Sequence, residues 1–140
     1  MSSARHHQRG FTLLEILLTV AIVTIITSIA LPSYQQHVQR SHRTDAMTAL
    51  LRIANEQEKW YLQNNTYTTS LADLDATETR NNYYVLRIEN ANQNTFLASA
   101  EIRTGGPQVG DDLCQRFTIN ANGTLGAQGA DGDTTAQCWR

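Results

Sequence analysis

Lysine is almost missing from this chain. Of 140 residues only Lys59 is a lysine, and Lys plus Arg total 11 against 13 Asp plus Glu. A formal charge of −2 gives no general pull toward nucleic acid or an anionic membrane surface. Cysteine and proline occur twice each, at Cys114 and Cys138 and at Pro32 and Pro107. No glycine-rich phosphate loop is present, and no nucleophile stands at a recognisable spacing from a base. The four histidines are His6, His7, His37 and His42. The last two lie five apart, which is not a zinc spacing, and they read as part of a solvated helix face. These shortages argue against an enzyme, and no cofactor or metal is expected.

Apolar residues are unevenly distributed. Nearly all of the continuous hydrophobic sequence lies in the 21 residues from Phe11 to Leu31. As a helix this run would span about 31 Å, close to the hydrocarbon thickness of a bilayer. Arg5 and Arg9 precede it, which would keep that end in the cytoplasm and the later domain on the periplasmic or outer side. A conventional signal peptide has a shorter apolar region and a small-x-small cleavage site; Ala30-Leu31-Pro32 fits poorly. A plain membrane anchor leaves Glu15 unexplained. An acid at that depth costs about 2.5–3.5 kcal/mol and marks a functional position. It stands at the fifth position of a chain starting at Phe11, where a free amine would be a cation of opposite sign.

Pro32 lacks a backbone donor, so a kink or local break is expected near Ala30 to Pro32. Beyond it Tyr34, Val38, Ala46, Ala49, Leu50, Ile53, Ala54, Trp60 and Tyr61 recur at helical spacing, with Arg40, Arg43, Asp45, Arg52, Glu56 and Lys59 mostly on other faces. Asn64-Asn65 reads as the stop. Residues 66–82 read as a loop. Strands are expected over Tyr83–Ile88, Thr95–Ile102 and Arg116–Asn120, with a turn at Asn122-Gly123. The fold class is therefore α+β: a long helix packed on a three- or four-stranded antiparallel sheet. Cys114 and Cys138 enclose 23 residues, and in an exported domain they are expected to pair, at about 3–4 kcal/mol for a loop of that size. Asp131-Gly132-Asp133 faintly suggests a calcium loop but reads better as a surface turn.

Arg9-Gly10-Phe11-Thr12-Leu13-Leu14-Glu15 resembles the prepilin peptidase motif of type IV pilins and of type II secretion pseudopilins. The resemblance implies cleavage between Gly10 and Phe11, N-methylation of Phe11, and neutralisation by Glu15 of the amine of a neighbouring subunit. It divides the chain into a leader (1–10), a transmembrane and filament-core helix (11–31), an amphipathic half-helix (32–65) and a β head (66–140). Loss of the leader removes Arg5 and Arg9, leaving nine basic residues and a charge of −4. Trp60-Tyr61-Leu62 followed by Asn64-Asn65-Thr66-Tyr67, with Cys114, Phe117, Gly123 and Cys138-Trp139-Arg140 later, is most similar to PilE-type minor pilins. The implied partners are other pilin subunits, the prepilin peptidase and the inner-membrane assembly machinery. The implied location is the inner membrane with a periplasmic head, then an extracellular pilus serving adhesion and twitching. Alternatives are a DNA-binding minor pilin, a type II secretion pseudopilin and a major pilin. The DNA reading is disfavoured because the cysteine loop sets Arg116 against Asp131 and Asp133, with Arg140 just outside it, and Arg80, Arg87 and Arg103 are scattered among acids.

Overall fold

The computed structural model describes residues 11–140. Gly10, and with it one side of the expected cleavage junction, lies outside the described residues. The order of elements is α1 (Leu13–Asn64), β1 (Tyr84–Ala91), β2 (Phe96–Ile102), β3 (Arg116–Asn120), β4 (Leu125–Gly129), β5 (Gly132–Asp133) and α2 (Thr135–Cys138). Two compact units divide the chain, one ending at His37 and the other comprising Val38–Arg140.

In the first unit α1 starts at a cap. Thr12 precedes the helix, and its Oγ1 accepts the Glu15 N–H at 3.2 Å, one of the orphan donors of a helix start. Thr12 and Glu15 have the spacing of a capping box. Further along, Thr19, Thr24, Thr27 and Ser28 each donate their hydroxyl back to a carbonyl three or four residues earlier. The helix thus satisfies its own polar side chains, as an apolar environment requires. The expected local break at Pro32 is absent: α1 is helical from Leu13 to Asn64 with Pro32 inside. Proline removes only the bond to the Ser28 carbonyl, and the long helical stretches on either side keep their own ladders.

In the second unit α1 ends at Asn64 because Asn65 turns left-handed (φ 54°) and donates its N–H to the Tyr61 carbonyl at 2.8 Å. The five strands form one antiparallel sheet in chain order. Phe96, Ala98 and Ala100 of β2 alternate toward the helix, and with Tyr84, Leu86, Phe117, Ile119 and Ala127 they pack against Ala46, Ala49, Leu50 and Ile53. The alanines on both layers let helix and sheet approach closely. Trp60 and Tyr67 border this core, and Tyr84, Phe117 and Trp139 stack edge to face with centroids 5.8 and 5.7 Å apart. Tyr34, expected on the same stripe, is 68 % exposed and belongs to the first unit.

The sheet has five strands against the three or four expected. The sequence of β4, Leu-Gly-Ala-Gln-Gly, carries no strand signal of its own. The Asn122-Gly123 turn, with Gly123 at φ 72°, folds it back onto β3. Its glycines are required by neighbours. A Cβ at Gly129 would collide with the backbone carbonyls of Leu113 and Asp112, and the Asp112 carbonyl accepts the Ala130 N–H at 2.8 Å. Gly129→Ala is therefore expected to cost about 1–3 kcal/mol of stability. A urea titration that leaves the midpoint unchanged would show that the 112–113 backbone yields freely.

A disulfide joins Cys114 to Cys138, with Cα atoms 5.8 Å apart and both residues buried. It ties the segment before β3 to α2.

Candidate functional site

Two regions carry the chemistry: the start of α1 and a polar cluster on the second unit. At the start of α1, Phe11, Leu13, Leu14, Ile16, Leu17 and Leu18 are all exposed, and the run of exposed large apolar residues continues to Leu31. Among the described residues α1 is the one helix long and apolar enough to cross a membrane. Glu15 is exposed in its first turn and is the sole charge between Phe11 and Leu31. Thr12 fixes the Glu15 backbone, and its carboxylate has no hydrogen-bond or ion-pair partner among the described residues. A helix surface of this kind has no stable place in water. It needs lipid or the same surface of other copies.

The second cluster was not foreseen. Arg43, placed by its sequence spacing on the polar side of the helix, is buried. Its Nε and Nη2 each donate at 2.7 Å to one carboxylate oxygen of buried Asp111, a bidentate pair. Asp111 Oδ1 also accepts the Cys114 N–H at 3.3 Å. Buried Gln108 donates to the Gln39 carbonyl, the Tyr84 hydroxyl and Asp111 Oδ2 at 3.1–3.3 Å. The assignment of His42 to a solvated face is corrected: it stacks on Tyr83 with ring centroids 4.3 Å apart and donates from Nδ1 to Gln108 Oε1 at 3.1 Å. These contacts clamp the 104–114 segment to α1. Asp45 is buried as well, its Oδ1 accepting from the backbone and side chain of Asn81. Gln57 meets the backbone of Thr68 with both ends of its amide. No apolar periodicity reveals such residues. The signal available in the sequence was their chemistry, bidentate donors and amides near a long irregular stretch that must satisfy its backbone.

Burial, reinforced by the charge of Asp111 and opposed by the Gln108 donor, pushes the Tyr84 phenol up to about 12. The folded state thus favours the neutral phenol. Its contribution is fully present below pH 10 and is lost as pH rises through 12, an effect of up to about 2–3 kcal/mol. Tyr84→Phe should remove that part of the alkaline destabilisation. Identical alkaline unfolding curves for the two proteins would rule out Tyr84 as its source.

Of the eight arginines among the described residues, Arg43, Arg52, Arg103 and Arg116 are engaged by protein groups. Arg116 faces Glu89 at 3.1 Å and Glu101 at 3.5 Å. Arg103 is bonded to Asn82, and Arg52 donates to the Glu78 carbonyl. On the outer sheet face Glu89 and Glu101 share Arg116, and exposed Arg87 of β1 stands on the same face. Between β5 and α2, Asp133 Oδ1 accepts both the N–H and hydroxyl of Thr135, bonds that pull its carboxyl below the usual range. Asp133 thus serves a local turn. Among the described residues no group of three or more His, Cys, Asp or Glu is placed to hold a metal ion.

A long N-terminal helix on an antiparallel sheet with a C-terminal disulfide loop defines a type IV pilin-like subunit, a filament protein class. The profile of a family described as "Type IV minor pilin ComP, DNA uptake sequence receptor" matches residues 32–118, more than half of the chain, and a prokaryotic N-terminal methylation motif matches residues 5–31. The chain belongs to that family of type IV pilins. It is 30 % identical over 83 residues to the type IV major pilin protein PilA of Myxococcus xanthus, covering 59 % of this chain and 38 % of that protein. To the type II secretion system core protein G of Vibrio cholerae it is 26 % identical, over 90 % of this chain and 89 % of that one. The chain spans half or less of the length of the first curated relatives it matches. Among solved structures, the non-core minor pilin PilV of Neisseria meningitidis shares the fold, with a TM-score of 0.56 and 22 % identity over 66 % of this chain and 89 % of that one.

Proposed function

We propose that this chain is a minor pilin, processed between Gly10 and Phe11, N-methylated on Phe11, and assembled into a type IV pilus through Phe11–Leu31. The observation that carries this reading is the fully exposed apolar surface of that helix with Glu15 its single charge. In this reading the leader 1–10 is removed and 11–31 waits in the inner membrane with the head in the periplasm. Glu15 then meets the Phe11 amine of an adjacent subunit during incorporation. Pro32 marks the weakest point of the helical ladder, where α1 would yield first in a filament. The amphipathic part of α1 and the β head supply the outward surface. Adhesion and twitching are the processes such a filament would serve.

The test is the amount of this protein in filaments sheared from cells, relative to the most abundant subunit. Trace amounts beside a dominant pilin are expected. A dominant amount would make it the main subunit, and absence from filaments would favour a secretion pseudopilus.

A second reading, reception of DNA during uptake, is favoured by the description of the matching family. The pairing of Arg116 with Glu89 and Glu101 on the outer sheet face weighs against it. Phosphate contacts would weaken steeply with salt, so duplex binding that is absent even at low salt would remove this reading.

A further inference from the structure

Of the chain's arginines, two that meet no carboxylate converge on one cavity. The cavity, of about 430 Å³, is lined by Arg40, Arg43, Leu113, Gln137, Cys138 and Arg140. It lies entirely within the second unit. Its walls come from three stretches of chain. Arg40 and Arg43 stand on α1 one turn apart, Leu113 precedes one half of the disulfide, and Gln137 to Arg140 surround the other half. The cross-link therefore holds two walls in register. Arg43 cannot turn to a ligand, because Asp111 binds it through both oxygens. Arg40 and Arg140 are exposed and have no ion-pair or hydrogen-bond partner in the second unit. No acidic side chain lines the cavity. Two free guanidinium groups and an amide, with no acidic side chain among them, suit an anion, and guanidinium suits phosphate oxygens in particular.

We infer that this cavity takes the phosphate headgroup of an anionic phospholipid while the subunit waits in the membrane. The inference rests on the reading of Phe11–Leu31 as a membrane span before assembly. Arg40 follows Leu31 by nine positions of chain, which tethers it within reach of the membrane surface where that span would end. An arginine stem reaches several ångströms back from there toward the headgroup layer, within the range over which an anionic leaflet attracts basic side chains. The cavity is larger than a bare phosphate needs, and Leu113, 41 % exposed, adds an apolar wall beside the cations, which suits a glycerol backbone. A DNA duplex would need a row of cations, whereas this is a closed pair. The bound headgroup would orient the head above the membrane, and incorporation into a filament would require its release.

The test uses the full mature chain in detergent micelles containing equal phosphatidylglycerol and phosphatidylcholine, with retained lipid counted by native mass spectrometry. One phosphatidylglycerol per chain is expected, preferred over phosphatidylcholine by about tenfold. Arg40→Gln with Arg140→Gln should abolish the preference. Arg87→Gln, which changes an exposed arginine not lining the cavity, should leave it intact. Circular dichroism melts check that the double variant stays folded, as expected for two exposed side chains. Equal retention of the two lipids, or an unchanged preference in the double variant, would overturn the proposal. So would displacement of the lipid by soluble glycerol phosphate at matched concentration, or by a DNA duplex, since each would assign the cavity to a different phosphate source. Carbonate extraction of cell membranes separates the two levels of the argument. A chain released by carbonate would sink the membrane reading and this inference together. A chain retained in the membrane but without bound phosphatidylglycerol would sink the inference alone.

Discussion

Glu15→Val is expected to yield a subunit that is cleaved normally but does not enter filaments. In the proposed processing the peptidase meets the Gly10-Phe11 junction, and valine at the fifth position after that junction leaves it intact. Incorporation is different. In the proposed assembly the Phe11 amine of one subunit enters an apolar filament core, where an uncompensated charge is strongly disfavoured. Removing one partner of a desolvated pair costs about 3–5 kcal/mol, or roughly a hundred- to several-thousandfold in occupancy. Membrane insertion of the variant should improve slightly, because a costly acid has gone. The measurement pairs the N-terminal mass of the membrane-bound subunit with its amount in sheared filaments. A correctly trimmed variant found in filaments at the normal level would remove Glu15 from the assembly step.

Asp111→Asn should produce the largest loss of stability in the head. Arg43 would remain buried and charged without its bidentate carboxylate, and the Gln108 and Cys114 contacts to Asp111 would weaken with it. Breaking one side of such a pair costs about 3–5 kcal/mol. For a domain of this size that corresponds to a fall in melting temperature of roughly 15–30 °C. Replacing both partners, Arg43→Met with Asp111→Leu, should recover most of the loss, because two apolar groups of similar volume leave no stranded charge. Thermal melts of the full chain with its disulfide intact distinguish the cases. A loss below about 1 kcal/mol in Asp111→Asn would mean that water replaces the carboxylate cheaply and the clamp is idle.

The parts read correctly from the sequence depend on local patterning. Alternation over Phe96–Ile102 and Arg116–Asn120 marked strands where strands form, and the helix stop at Asn64-Asn65 follows from the tolerance of asparagine for the left-handed region. The pairing of Cys114 with Cys138 followed from the exported context. The misreadings have a common cause as well. Arg43, Asp45 and His42 were placed in solvent because charged or polar side chains on a helix usually face it. Here the irregular stretches 66–82 and 104–114 cover that face, and their backbone groups need polar partners. Strand β4 was invisible for the opposite reason, since its pairing is imposed by the turn before it and by the crowding around Gly129 rather than by side-chain propensity.

The sequence by itself determined the membrane-length apolar helix, its single acid and the α+β class, because each is a property of contiguous residues and of hydropathy. Tertiary structure alone decided which charges are buried, which arginines remain free, and that Arg40 and Arg140 come together although a hundred residues separate them in the chain. Those outcomes depend on how the disulfide and the 104–114 clamp fold the end of the chain back onto α1, and no local rule links such distant positions before the core has formed.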